Sequence, residues 1–325
     1  MVQGKWGAVA AGLAFMMAWI GCGGMREPQL PEQADLTATV VPTMPAPVWN
    51  PTEAAALQDK EERNVTYCSV DGWDLKMDIS YPAQFDGPAS AVVYVHGGGW
   101  TQGSKEDVPA EVGDALRQAG FILVSLDYRL APQHKWPAQI EDVKCAVRSL
   151  RAHAAQDLID PARIGAWGGS AGGHLVSMLG VTDTSAGFDV GAYLDQSSRV
   201  QAVVDWFGPS DLTSLLADPK LSAISRDVFN TQPDDQETLG KASPVTYVTS
   251  DDPPFLIMQG DHDQTVPPSQ SQELYDRLIA AGVPAALEIV RNAGHSFGPI
   301  GGPIQPDRLE IAAQTAAFFG QRLMP

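Results

Sequence analysis

A strand that runs straight into a glycine-rich turn and out into a helix constrains this chain more than any other feature. Arg163 to Trp167 reads as a strand, Gly168-Gly169-Ser170-Ala171-Gly172 follows at once, and a helix is predicted from about Gly172 to Leu179. The pentapeptide has the form G-x-S-x-G, and the elements on either side supply the context the motif requires. A serine on so sharp a turn sits in strained backbone. Small neighbours, with Gly173 extending the run, let the chain bend that tightly. The hydroxyl then stands at the carboxyl edge of a sheet, over a helix N-terminus whose dipole favours developing negative charge. Taken alone, the same residues also read as a Gly-rich turn with an incidental serine.

The rest of the chain supplies a sheet for that turn. Val65 to Val70 and Leu75 to Tyr81 read as two strands around Asp71-Gly72. The second alternates apolar and polar residues, as an antiparallel strand near a sheet edge does. Ala91 to Val95, Phe121 to Leu126, Val200 to Phe207, Phe255 to Gln259 and Ala285 to Val290 read as further strands. Helical spacing covers Val108 to Ala119, Ile140 to His153, Ser269 to Ala281 and Arg308 to Arg322. Strands separated by helices predict an α/β fold, a mostly parallel sheet of about eight strands with helices on both faces. Gly208 to Pro254 is longer than an ordinary crossover and is expected to form a small lid or side wall. No linker interrupts residues 61–325, which are read as one catalytic domain.

The N-terminus reads as a targeting segment. Lys5 gives a positive start, Trp6 to Gly21 is an apolar stretch too short for a membrane span, and Trp19-Ile20-Gly21-Cys22 resembles a bacterial lipoprotein cleavage box. Residues 1–22 are expected to be a signal peptide, with lipidation at Cys22 and export to the cell envelope. Plain secretion is the other expectation. Residues 23–60, rich in proline, read as an extended tether. The formal net charge is −18, and no block of Lys or Arg offers a cationic footprint for nucleic acid. The acidity reads as solubility outside the cytoplasm. Export would permit a disulfide between Cys68 and Cys145, but two buried thiols fit the sequence equally well. A monomer is the default expectation.

Several residue groups give the Ser170 turn its chemical company. His96-Gly97-Gly98-Gly99-Trp100 follows the strand ending at Val95. Glycines at a strand end let backbone N–H groups converge on an external oxygen, so Gly98 and Gly99 are candidate oxyanion donors, with the Ala171 N–H as a third. A turn that only reverses the chain is the plain alternative, and the Lys-Ser/Thr ending of a phosphate loop is missing. A serine hydroxyl needs a base. His295, just after the last strand, is the candidate; His174 sits on the serine's own helix, and His96 belongs to the glycine loop. The loop after Gln259 offers Asp263 as the carboxylate that orients the imidazole, with Asp261 as competitor. The order Ser170, Asp263, His295 is that of one known hydrolase arrangement. Asp261-His262-Asp263 lacks the partner spacing of a metal site. Trp100, Trp206 and Phe207 follow strands and read either as a substrate pocket or as core.

The run Leu126 to Pro132, then Trp136-Pro137-Ala138 and Glu141-Asp142-Val143, resembles the esterase/lipase family related to hormone-sensitive lipase. The longer set, with His96 to Trp100, Gly168 to Gly173, Gly208 to Leu212 and Gly260 to Pro267, is similar to the feruloyl-esterase-like and polysaccharide-acetylesterase-like branch. The resemblance implies the α/β-hydrolase fold and no cofactor. It also implies a Ser170–His295–Asp263 triad, an oxyanion loop at Gly98 and Gly99 with Ala171, and bracing roles for Asp127, Arg129 and Asp142. The implied substrates are short-chain, acetyl or feruloyl-type esters of small molecules or polysaccharides. A peptidase or amidase of the same fold, or a non-catalytic binding protein on it, are the alternatives.

Overall fold

The computed structural model describes residues 60–83 and 88–324. The expected leader, Cys22 and the tether up to residue 59 lie outside the described residues.

Eight strands form one sheet among the described residues: β1 (Glu61–Val70), β2 (Trp73–Ser80), β3 (Ala89–Val95), β4 (Ile122–Leu126), β5 (Ile159–Gly169), β6 (Ala202–Trp206), β7 (Phe255–Gly260) and β8 (Ala285–Val290). Their order is β1-β2-β4-β3-β5-β6-β7-β8. The β1–β2 and β2–β4 pairs are antiparallel and the others parallel. The expected mostly parallel eight-strand sheet is therefore what the chain builds. The five longest helices are α1 (Ala110–Gln118), α2 (Ala138–Ala152), α3 (Ala171–Val181), α7 (Pro268–Ala280) and α8 (Arg308–Leu323). Between β6 and β7 lie the short helices α4 (Leu212–Leu215), α5 (Ser222–Asp227) and α6 (Gln236–Lys241), which fill the excursion predicted as a side wall.

Alternation along the strands divides the core into two layers. On β3, Val93 and Val95 face α2, α3 and α7 through Val143, Val147, Leu175 and Leu274. Val92 and Tyr94 face α1 and α8 through Leu116, Ile311 and Phe319. Both faces are covered, so the parallel strands are continuous apolar runs, which is why they were readable. Two strand starts were not. β5 begins at Ile159, four residues ahead of the expected Arg163, because Ala89 pairs with Ile159 before Pro161 interrupts the pattern. β1 begins at Glu61, where Glu61 and Glu62 pair with Ser80 and Ile79 ahead of a register shift. An edge strand can be that polar because one side faces water.

Cys68 of β1 and Cys145 of α2 are joined in a disulfide across 77 residues, which resolves the open alternative in favour of a bridge. Cross-linking a loop of that length removes about 4 kcal/mol of unfolded-chain entropy. A Cys68→Ser/Cys145→Ser double variant should therefore melt about 10 °C lower, measured by calorimetry.

Asp205 of β6 is buried against α3, where its carboxylate accepts hydrogen bonds from Ser177 Oγ at 3.0 Å and the Gly208 N–H at 2.9 Å. Burial pushes its pKa up to about 6 despite those bonds. The unfolded carboxyl titrates near 4. Between about pH 4 and pH 6 the folded state thus holds the extra proton, and stability falls as pH rises through that window, by up to about 3 kcal/mol. Urea melts of wild type and Asp205→Asn at both ends of the window should differ: the variant loses this component of the decline.

Candidate active site

Three strand ends deliver the chemistry. At the end of β5, Ser170 adopts φ 57°, ψ −121° and α3 starts at the next residue. The surrounding glycines are needed for space: a Cβ on Gly172 would run into the Val95 carbonyl, and one on Gly168 into the Gly172 backbone. The Ser170 N–H is held by the Trp206 carbonyl at 2.9 Å, which ties the turn to β6.

At the end of β8, a short turn over His295–Phe297 presents the imidazole. Its Nε2 lies 2.9 Å from Ser170 Oγ and its Nδ1 lies 2.7 Å from Asp263 Oδ2. Asp263, past the end of β7, is fixed on its other oxygen by the N–H groups of Thr265 at 2.8 Å and Val266 at 3.0 Å. Burial pushes this carboxyl up. The His295 hydrogen bond and those backbone donors outweigh it and hold the pKa below the usual carboxylate range. An ionised Asp263 requires a proton on Nδ1, so Nε2 offers its lone pair to the serine hydroxyl.

Asp261 does not reach the imidazole. It binds His262 at 2.6 Å and accepts the Ala293 N–H at 3.1 Å, so it anchors the segment that leads into His295. Gln259 was not singled out from the sequence. Its Nε2 donates to Asp263 Oδ2 at 3.2 Å, and its side-chain oxygen Oε1 accepts from Ser271 Oγ at 2.7 Å. A polar residue closing an otherwise apolar strand was the available signal.

The glycine loop stands opposite. Gly98 and Gly99 have φ of +100° and +61°, and a Cβ on Gly98 would strike the Gln102 carbonyl. Among the described residues neither N–H is taken by a protein acceptor. Ala171 N–H opens α3 beside Ser170, as expected for a third donor at a helix start. The loop is braced from below: His96 stacks on Tyr128 at 4.2 Å, and the Tyr128 hydroxyl donates to the His96 carbonyl at 3.1 Å. Asp127 accepts the Lys105 N–H at 2.8 Å, and Arg129 pairs with Asp142 at 2.8 Å. These contacts are structural.

A cleft of about 720 Å³ opens over Ser170 and His295. Gly97 to Gly99, Trp167, Trp206 and Phe207 line it, and α5 closes one wall with Ile224. Trp206 and Phe207 are thus at the cleft. Trp100 takes the other of its two readings, core rather than pocket. It is buried away from the cleft, edge-on to His174 and Phe229, with its indole N–H donating to His174 Nδ1 at 3.2 Å. His174 in turn donates to the Ala242 carbonyl at 2.7 Å, and burial pushes its pKa down to about 4, so it is a neutral strut.

The sheet order and the strand–serine–helix turn define an α/β-hydrolase. The BD-FAE family model matches residues 77–278, more than half of the 325. The chain belongs to the BD-FAE family. The esterase LipC of Mycobacterium tuberculosis is 30% identical over 272 residues, covering 79% of this chain and 66% of LipC. LipM of the same organism is 34% identical over 196 residues, 59% of this chain and 45% of LipM. The chain therefore spans about half to two thirds of the length of these curated relatives. Among solved structures, a truncated carbohydrate esterase from gut microbiota aligns with a TM-score of 0.70 at 31% identity, covering 82% of this chain and 97% of that one. A thermophilic esterase from Thermogutta terrifontis aligns at 0.66 and 25% identity, covering 80% and 91%. That esterase has also been solved with propionate or butyrate bound.

Proposed function

We propose that this protein hydrolyses carboxylic esters through Ser170. The observation that carries the reading is the unbroken line from Ser170 Oγ through His295 to Asp263, at 2.9 and 2.7 Å. His295 Nε2 removes the hydroxyl proton as Ser170 Oγ attacks the ester carbonyl carbon. The carbonyl oxygen becomes an oxyanion that the N–H groups of Gly98, Gly99 and Ala171 receive. The imidazolium is stabilised by Asp263, and its Nε2 proton passes to the departing alkoxide. Water then repeats the sequence on the acyl-enzyme, releasing the acid and restoring Ser170. No redox partner or cofactor enters this balance. A cleft of this volume admits acyl groups of the size of propionate and butyrate as well as larger ones, and the names of the relatives favour an ester over an amide.

A fluorophosphonate probe tests the nucleophile directly. It should label one residue, and peptide mapping should place the adduct on Ser170. Absence of labelling at that serine, in protein that is folded by circular dichroism, would leave a non-catalytic scaffold as the better reading.

A further inference from the structure

Besides His295, two residues with charged side chains line the cleft: Asp227 at the end of α5 and Arg308 at the start of α8. Arg308 stands beside the catalytic turn, where its Nη2 donates to the Ser296 carbonyl at 3.2 Å. Among the described residues this is the one hydrogen bond its guanidinium makes, and the acceptor is uncharged. The one carboxylate within ion-pair reach among them, Glu111 of α1, lies 3.7 Å from Nη1, too far for a hydrogen bond. Arg129, Arg163 and Arg199, by contrast, meet their carboxylates at 2.8, 2.7 and 2.8 Å. A guanidinium carries five N–H donors, so most of those on Arg308 are open to water or a ligand. Its side chain is 54% exposed.

The helix does not account for this arginine. Arg308 is the first residue of α8, at the positive end of the helix dipole, where an acidic side chain is favoured and a cation is not. Asp307 already serves the helix start: its carboxylate accepts the Leu309 and Glu310 N–H groups at 2.9 Å each, and Glu310 accepts the Asp307 N–H at 2.8 Å. Both neighbouring carboxylates are thus committed to the cap. In a chain of net charge −18, a cation left under-neutralised at the cleft is a local attractor for an anion. Asp227 carries the opposite sign on the α5 wall and confines that attraction to the Arg308 side. We propose that Arg308 is a charge-selecting residue that draws in esters carrying a carboxylate, with Glu111 as the internal competitor that moderates it. This specificity role rests on the ester-hydrolase reading given above.

Two pairs of esters, each a carboxylate and its neutral amide, test it. Monomethyl glutarate and methyl 4-carbamoylbutanoate carry the exchange in the acyl half. 4-Acetoxybutanoate and 4-acetoxybutanamide carry it in the alcohol half. The quantity read is the ratio of kcat/KM for the anion to kcat/KM for the amide. Within one variant the ratio cancels any loss common to both esters, and between variants it cancels the general repulsion from the net charge. Arg308→Gln keeps an N–H for the Ser296 carbonyl and deletes the charge. It should lower the ratio about two- to fivefold in at least one pair, the range of an exposed charge pair. Glu111→Gln removes the competitor and should raise the same ratio by about twofold. Raising NaCl from about 20 mM to about 0.5 M should shrink the difference between wild type and Arg308→Gln, because salt screens exposed charges. Ratios that are equal in wild type and both variants overturn the proposal. A Glu111→Gln ratio that falls together with that of Arg308→Gln also overturns it, since it would mark a brace between α1 and α8 rather than a charge offered to substrate. Wild type that turns over none of the four esters removes the hydrolase reading, whereas turnover with ratios indifferent to both substitutions removes only this inference.

Discussion

Replacing Ser170 with alanine is expected to lower kcat on p-nitrophenyl acetate by about 10⁴- to 10⁶-fold. The substitution deletes one atom that does chemistry and little that supports the fold. Ser170 Oγ makes its hydrogen bond to His295. The backbone bonds that hold the turn, Ser170 N–H to the Trp206 carbonyl and His174 N–H to the Ser170 carbonyl, both 2.9 Å, survive the change. Alanine must still accept φ 57°, which costs of order 1 kcal/mol and is already required of the serine. The melting temperature should therefore move by only a few degrees while activity collapses. The residual rate would come from cleft binding and the Gly98, Gly99 and Ala171 donors acting on water. Undiminished hydrolysis by the variant, at matched concentration and free of contaminating esterase, would place the reaction elsewhere.

The turn that carries Ser170 was legible because its sequence requirement is local. Gly168 and Gly172 are dictated by backbone atoms within a few residues or on the adjacent strand, so their pattern survives in one dimension. Trp100 shows the opposite case. Its position after a strand end fitted a cleft wall equally well, and only the distant Phe229 and the underside of α3 at His174 decide that its ring is buried. The choice between Asp263 and Asp261 was likewise a matter of direction. Both sit on one loop, and what separates them is whether the carboxylate meets His295 or the Ala293 N–H, contacts more than 30 residues away. The Cys68–Cys145 bridge depends on β1 passing over α2, a placement no local periodicity encodes.

That separation of the two aspartates yields the second large effect. Asp263→Asn should lower kcat by about 10³- to 10⁴-fold, and Asp261→Asn by less than about tenfold. An asparagine at 263 can keep its oxygen on the Thr265 and Val266 N–H groups, so the loop retains its shape. Its amide nitrogen then faces His295 Nδ1 as a donor. The imidazole answers by moving its proton to Nε2, where it points at Ser170 and can no longer accept the hydroxyl proton. The positive imidazolium would also lose its counter-charge. At position 261 the amide oxygen can still accept the Ala293 N–H, and the line to Ser170 is untouched. The pH behaviour follows from the same site. Asp263 titrates below the usual carboxylate range when folded, so its pairing contributes stability above the unfolded value near 4, and that contribution is lost as pH falls through the lower folded value. The wild-type enzyme should accordingly keep its Asp263 ionised throughout the pH range of an esterase assay. Any acid limb above pH 5 must then arise from a group other than this carboxylate. Matched pH–rate profiles of wild type and Asp261→Asn that coincide in shape, beside an Asp263→Asn profile depressed at every pH, would be the expected result; equal loss in the two asparagine variants would mean that orientation of the whole His295 segment, rather than the charge beside Nδ1, is what the serine depends on.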